Sequence, residues 1–166
     1  MLRREFITLA SGVVAVWPLA ANAQQPASPK IGYVWIGERE TDVSGAGLRQ
    51  GLTDKGYEIG RNLALEERYA QGDVEKVPAL LAELLALKVD VLVTVGTTIS
   101  LAARRATSTV PIVCISGDPV GTGLVASLSR PGGNVTGLSL FVAELMAKRL
   151  ELIKEAAPNL VKAACF

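Results

Sequence analysis

Two apolar runs constrain this chain more than anything else in it. Val89-Asp90-Val91-Leu92-Val93-Thr94-Val95 is nearly all apolar and rich in β-branched residues, and Val110 to Ile115 repeats the pattern. Runs of this length and type suit strands covered on both faces, as in the interior of a parallel sheet. Between and around them lie segments of helical spacing. The chain therefore alternates strand and helix, and that order predicts an α/β fold, a doubly wound parallel sheet with helices on both faces.

The remaining elements follow the same alternation. Ile31 to Ile36 is an apolar run of strand length, followed by a loop from Gly37 to Ser44. Ala46 to Lys55 reads as a helix with Leu48 and Leu52 on one face, Ser44 as its cap and Gly56 as its stop. Leu63 to Arg68 alternates apolar and charged residues, as an edge strand does. Gly72-Asp73 opens a helix reaching about Leu87, with Val77, Leu80, Leu81, Leu84 and Leu85 as its apolar stripe. Pro78 fits in its first turn, where a missing N–H is harmless. Gly96-Thr97-Thr98 turns into a helix from Ile99 to Thr107, Gly121 to Leu128 is a short helix or turn, and Pro131 to Asn134 is a turn. Val135 to Leu140 is a fifth strand. Val142 to Ala157 is a helix with Val142, Leu145, Met146, Arg149, Leu150 and Ile153 at helical spacing, ended by Pro158-Asn159. The expected strand order is 2-1-3-4-5.

The first residues read as an export signal. Arg3 and Arg4 precede an apolar stretch from Phe6 to Ala21, and Ala21-Asn22-Ala23 has the small-x-small pattern of a cleavage site. The stretch is short for a bilayer span and contains Pro18. Residues 1–23 are thus a signal peptide cleaved after Ala23, 24–29 a leader, 30–160 an α/β lobe, and 161–166 the start of a further strand. Arg3-Arg4-Glu5-Phe6-Ile7 partly matches the twin-arginine motif, so the route is either twin-arginine or general secretory. The expected location is the periplasm.

Composition narrows the chemistry. Lys plus Arg is 17 and Asp plus Glu is 16, a balance that gives no nucleic-acid footprint. Removing residues 1–23 takes away Arg3, Arg4 and Glu5 and leaves equal numbers of basic and acidic residues. There is no histidine, which excludes Ser-His-Asp and Cys-His catalysis and His-ligated metal. Cys114 lies in an apolar run and reads as an inert buried thiol, and Cys165 is next to last. No catalytic residue, metal or cofactor is expected.

In an open parallel sheet, ligands bind outside the carboxyl ends of the strands. That rule selects Trp35 to Ser44, Val95 to Ser100, Ser116 to Thr122 and Ser139 to Val142. Within it, Gly96, Thr97 and Thr98 offer backbone N–H groups and hydroxyls at a helix start, suited to a carboxylate or simply to N-capping. Ser116 and Asp118 follow a buried strand at the same rim, and Asp118 either accepts a ligand ammonium or caps the turn before Pro119. Trp35 either belongs to the core or stacks on a ligand. Glu38 and Thr41 are weaker candidates. Gly121-Thr122-Gly123-Leu124-Val125-Ala126 formally fits G-x-G-x-x-A but follows Asp-Pro-Val rather than a strand. Asn134-Val135-Thr136 fits a glycosylation acceptor and is read as a turn and strand start.

Several segments together resemble a known family. These are Leu-Arg-Gln-Gly-Leu (48–52), Gly-Tyr (56–57), Pro-Ala-Leu-Leu-Ala-Glu-Leu (78–84), Thr-Val-Pro-Ile-Val (109–113), Gly-Asp-Pro-Val (117–120), Gly-Leu-Val-Ala-Ser-Leu (123–128) and Arg-Pro-Gly-Gly-Asn-Val-Thr-Gly (130–137). In order and spacing they look like the extracytoplasmic substrate-binding proteins of ABC transporters, in the group of tryptophan- or aromatic-amino-acid-binding-like proteins. The resemblance implies a type I periplasmic-binding-protein fold whose first lobe is flavodoxin-like. It also implies a small-molecule ligand, with an amino acid as one candidate, and a membrane permease as partner. The family's second lobe is expected after Asn159, so the chain reads as a member truncated to its first lobe, with an exposed face that favours self-association. The alternative reading is a small exported α/β enzyme acting on a phosphorylated or nucleotide-like substrate.

Overall fold

The computed structural model describes residues 28–140, 142–159 and 162. The proposed signal peptide, most of the leader and most of the segment 161–166 lie outside the described residues. Five strands form one parallel sheet in the order β2-β1-β3-β4-β5, with β1 Lys30–Trp35, β2 Ala64–Tyr69, β3 Val91–Val95, β4 Ile112–Ser116 and β5 Val135–Ser139. The helices are α1 Val43–Asp54, α2 Val77–Ala86, α3 Thr97–Ala106 and α4 Val142–Ala156. The strand order is the one the alternating pattern implies, and β2 is an edge.

Strand starts are set by local chemistry. Pro111 has no N–H to give the ladder, and β4 begins one residue later. Asp90, the one charge in its apolar run, takes the Lys30 amide at 2.7 Å and so fastens the entry of β3 to that of β1. Pro78 lies in the first turn of α2, and Asp73 caps the 3-10 turn Val74–Lys76 that leads into it. α1 starts earlier than the sequence suggests. Its cap is Asp42, whose carboxylate accepts the Gly45 N–H at 2.8 Å, and Ser44 lies inside the helix. Both residue types cap well, so the choice rests on where the 3-10 turn Arg39–Thr41 delivers the chain. Gly121 to Leu128 is a run of turns without a helix.

The main core lies on one face of the sheet. Val34, Leu92, Ile112, Cys114 and Val135 meet Val77, Leu81 and Leu84 of α2 and Ile99 and Ala103 of α3. Leu124 and Val125, from the turns after β4, close this layer. Burial pushes the Cys114 thiol pKa up, in keeping with an inert group. The opposite face is covered by α1 over β1 and β2, where Tyr33 is fully buried. Toward β4 and β5 this face opens: Val113 is 37% and Leu138 is 64% exposed. The expectation that β4 is covered on both faces is therefore corrected. The physical reason is α4, which reaches its predicted length but leaves Leu145, Leu150 and Ile153 exposed rather than seated on the sheet.

Candidate functional site

Because all the strands are parallel and in step, their carboxyl ends form one rim. Trp35 pairs with Tyr69 and with Val95, Val95 with Ile115, and Ser116 with Ser139. Trp35, Gly96, Thr97, Thr98, Ser116 and Asp118 all fall at this end, on β1, β3 and β4 or just after them. What each side chain does there differs.

Gly96 makes the turn from β3 into α3 with φ +106°, a conformation that favours glycine. Its N–H donates to the Ile115 carbonyl at 2.9 Å, and its own carbonyl accepts the Ser100 N–H at 3.1 Å and the Ser100 hydroxyl at 2.8 Å. As the N-cap residue it brings no side-chain acceptor. Thr97 does not supply one either. Its hydroxyl turns sideways to Ser116 Oγ at 2.8 Å and accepts the Gly117 N–H at 3.4 Å. The first turn of α3 thus has neither a side-chain cap nor an acidic residue, and it presents the positive end of the helix at the rim. Thr98 is exposed beside it.

Ser116 is fully buried, so its contact is with Thr97, and it ties the end of β4 to the start of α3. Asp118 caps a turn: its carboxylate accepts the Gly121 N–H at 2.7 Å, and its carbonyl accepts the Thr122 hydroxyl at 2.6 Å. Trp35 is half-buried, with its ring folded over Gly37. Thr41 donates to the Glu38 carbonyl at 3.1 Å, within the loop.

A second cluster flanks the rim at β1 and β2 and was missed in the sequence. Asp42 is 4% exposed and accepts the Tyr33 phenol at 2.8 Å, on the same oxygen that caps Gly45, while its other oxygen has no partner among the described residues. Burial and the Asp42 carboxylate push the Tyr33 pKa far up. Glu67, on β2, holds Arg39 at 2.8 Å, binds Arg49 and accepts the Tyr69 phenol at 3.2 Å. Arg39 also lies 5.8 Å from the Tyr69 ring centre. The signal in the sequence is the alternation over Leu63 to Arg68, but it does not say that Glu67 is roofed by two arginines.

Among the described residues no group of three or more His, Cys, Asp and Glu could hold a metal ion, and no helix is long and apolar enough to cross a membrane. Comparison with known proteins gives a consistent result. The family model for ABC transporter substrate binding protein matches residues 34–166. A tyrosine-binding protein of Clostridioides difficile (strain R20291) is 35% identical over 122 residues, covering 73% of this chain and 35% of that protein. The crystal structure of a conserved domain protein from Vibrio cholerae superposes with a TM-score of 0.71 at 38% identity, over 80% of this chain and 45% of that one. An ABC domain from Streptococcus pneumoniae in complex with L-Trp gives 0.63 at 31% identity, over 68% of this chain and 38% of that one. The chain spans less than half the length of each of these proteins. The matching family is one of substrate-binding proteins and the curated relative is a tyrosine-binding protein, which sets aside the reading as an enzyme. The parallel five-stranded lobe and the family match over nearly all of its length lead to one assignment: this chain belongs to the ABC transporter substrate-binding protein family.

Proposed function

We propose that the chain serves as part of an extracytoplasmic solute-binding component of an ABC importer, taking an amino acid at the carboxyl rim of its sheet and presenting it to a membrane permease. The observation that carries this reading is the uncapped first turn of α3 at the rim. Thr97 and Thr98 there offer their N–H groups, and Thr98 its exposed hydroxyl, to a ligand carboxylate, while Gly96, whose own N–H is held by the Ile115 carbonyl, makes the turn that presents them. Trp35 offers an apolar side. Ser116 acts through Thr97 by fixing its hydroxyl. Asp118 lies across the rim, and since a carboxylate accepts up to about four hydrogen bonds, capping Gly121 leaves it capacity for an ammonium. Support for an amino acid as ligand comes from the relatives, one a tyrosine-binding protein and one solved with L-Trp.

The lobe forms one wall of such a site, and one wall leaves the ligand open to water. Hydrogen bonds and charge pairs exposed in this way contribute little net free energy. The 166-residue chain is therefore expected to bind L-tyrosine or L-tryptophan weakly, on the order of millimolar. Amide shifts in a titration followed by NMR should map to Gly96, Thr97 and Thr98. Shifts confined to other residues, or a submicromolar dissociation constant, would reject this site.

A further inference from the structure

We propose a second binding site, for a small organic anion with a short apolar body, in the crevice between the last turn of α3 and the turns that run from β4 to β5. The crevice has a volume of about 430 Å³, within the range of small-molecule sites. Val120, Leu124, Pro131 and Val135 give it apolar walls, and Arg104, Gly132 and Gly133 its polar ones.

Among the described residues, Arg104 is the only charged one that lines the crevice. Its Nη1 donates to the carbonyls of Gly123 and Leu124, the latter at 3.1 Å, which fixes the guanidinium in place. No carboxylate among the described residues pairs with it. From Gly96 to Leu140 the charged residues are Arg104, Arg105, Asp118 and Arg130, and the one acid is committed to the Gly121 cap at the rim. The planar guanidinium carries five donors, so two carbonyls leave N–H groups free for a carboxylate. The amides of Gly132 and Gly133 donate to no described residue. Successive free amides favour an anion as well.

The loop that carries these glycines is fixed from both sides. The Asn134 side chain donates to the Thr107 and Val110 carbonyls at 3.1 and 2.8 Å, and the Ala126 N–H donates to the Pro131 carbonyl at 3.0 Å. The Arg-Pro-Gly-Gly-Asn segment (130–134) thereby gains a role that the rim does not give it. The crevice lies toward the opposite end of the strands, since Asn134 and Val135 open β5 and Arg104 ends α3. The assignment stands independently of whether the rim holds an amino acid.

The test is an NMR titration of the full 166-residue chain with isovalerate, with its neutral analogue isovaleramide and with inorganic phosphate. Isovalerate is expected to shift the amides of Leu124, Gly132 and Gly133 and to leave those of Gly96 to Thr98 in place. Isovaleramide and phosphate should bind these amides about tenfold more weakly, the first lacking the charge and the second the apolar body. Arg104→Gln should weaken isovalerate by a similar factor, and Arg104→Lys by less. Because Arg104 also holds two carbonyls, the comparison of isovalerate with isovaleramide on the unaltered chain is decisive. Equal affinity for isovaleramide or phosphate, or no shift at Gly132 and Gly133, would overturn the proposal.

Discussion

Asp42 after β1 and Asp118 after β4 each place a carboxylate oxygen on the amide of the glycine three residues on, at 2.8 and 2.7 Å. In both turns the second oxygen lies over the glycine: a Cβ on Gly45 would come within 2.1 Å of it, and one on Gly121 within 2.0 Å. Each turn thus needs an aspartate and a glycine together. Asp42 also takes the Tyr33 phenol, and this bond has a pH signature. Tyr33 has its pKa raised above the ordinary 10.0, chiefly by burial, so its neutral form is favoured in the folded state. The stability it contributes is whole below pH 10 and is lost as pH rises further, because the unfolded chain ionises first. Tyr33→Phe is expected to lower stability by about 1–2 kcal/mol at pH 7. Urea denaturation at a series of pH values should show the gap between wild type and variant narrowing above pH 10. A constant gap would show that the phenol is not held neutral.

At the scale of elements, α1 gives a test of the capping geometry. Alanine normally stabilises a helix interior by up to about 1 kcal/mol relative to glycine. Gly47 and Gly51 have open space around their Cα atoms, so Gly47→Ala and Gly51→Ala should raise the melting temperature. Gly45→Ala, in the same helix, should lower it, because its methyl meets the Asp42 carboxylate. Thermal melts of the three variants compare directly. Between β3 and β4, the Thr97–Ser116 hydroxyl pair makes a similar joint. Ser116→Ala should cost about 1 kcal/mol and, through the freed Thr97 hydroxyl, weaken the amino-acid binding proposed above, with Ser116 itself fully buried.

For the whole molecule, the uneven cover of the sheet decides behaviour in solution. Val113, Leu138 and Leu140 are exposed, as are Leu145, Leu150, Leu152 and Ile153 of α4. Exposed apolar side chains on two elements favour association, and a second copy of the chain would supply cover for both. Sedimentation velocity is expected to show concentration-dependent oligomers, and Val113→Thr with Leu138→Thr should shift the population toward monomer. A monomer at all concentrations would mean that α4 seats on the sheet in solution. The reading of residues 1–23 as an export signal predicts that mass spectrometry of the exported form finds Gln24 at its amino terminus. Arg3→Lys with Arg4→Lys should block export only if the twin-arginine route is used.

The sequence by itself determined the number of strands, their parallel arrangement and their order, because β-branched runs and helical stripes are local patterns that leave few topologies. It also determined that Trp35, Gly96 and Ser116 share one rim of the sheet, since the carboxyl ends of parallel strands fall together whatever the details. Tertiary structure alone decided which polar groups meet there. Thr97 finds Ser116 across 19 positions of sequence, and Glu67 gathers Arg39 and Arg49 from a loop and a helix. Asp42 rather than Ser44 caps α1 because of the path of the preceding turn. Val113 has the same local pattern as a fully covered strand residue and is exposed, because cover depends on where a helix from elsewhere in the chain comes to rest. Periodicity records which face of an element is apolar; only the packing of distant elements determines whether that face is covered.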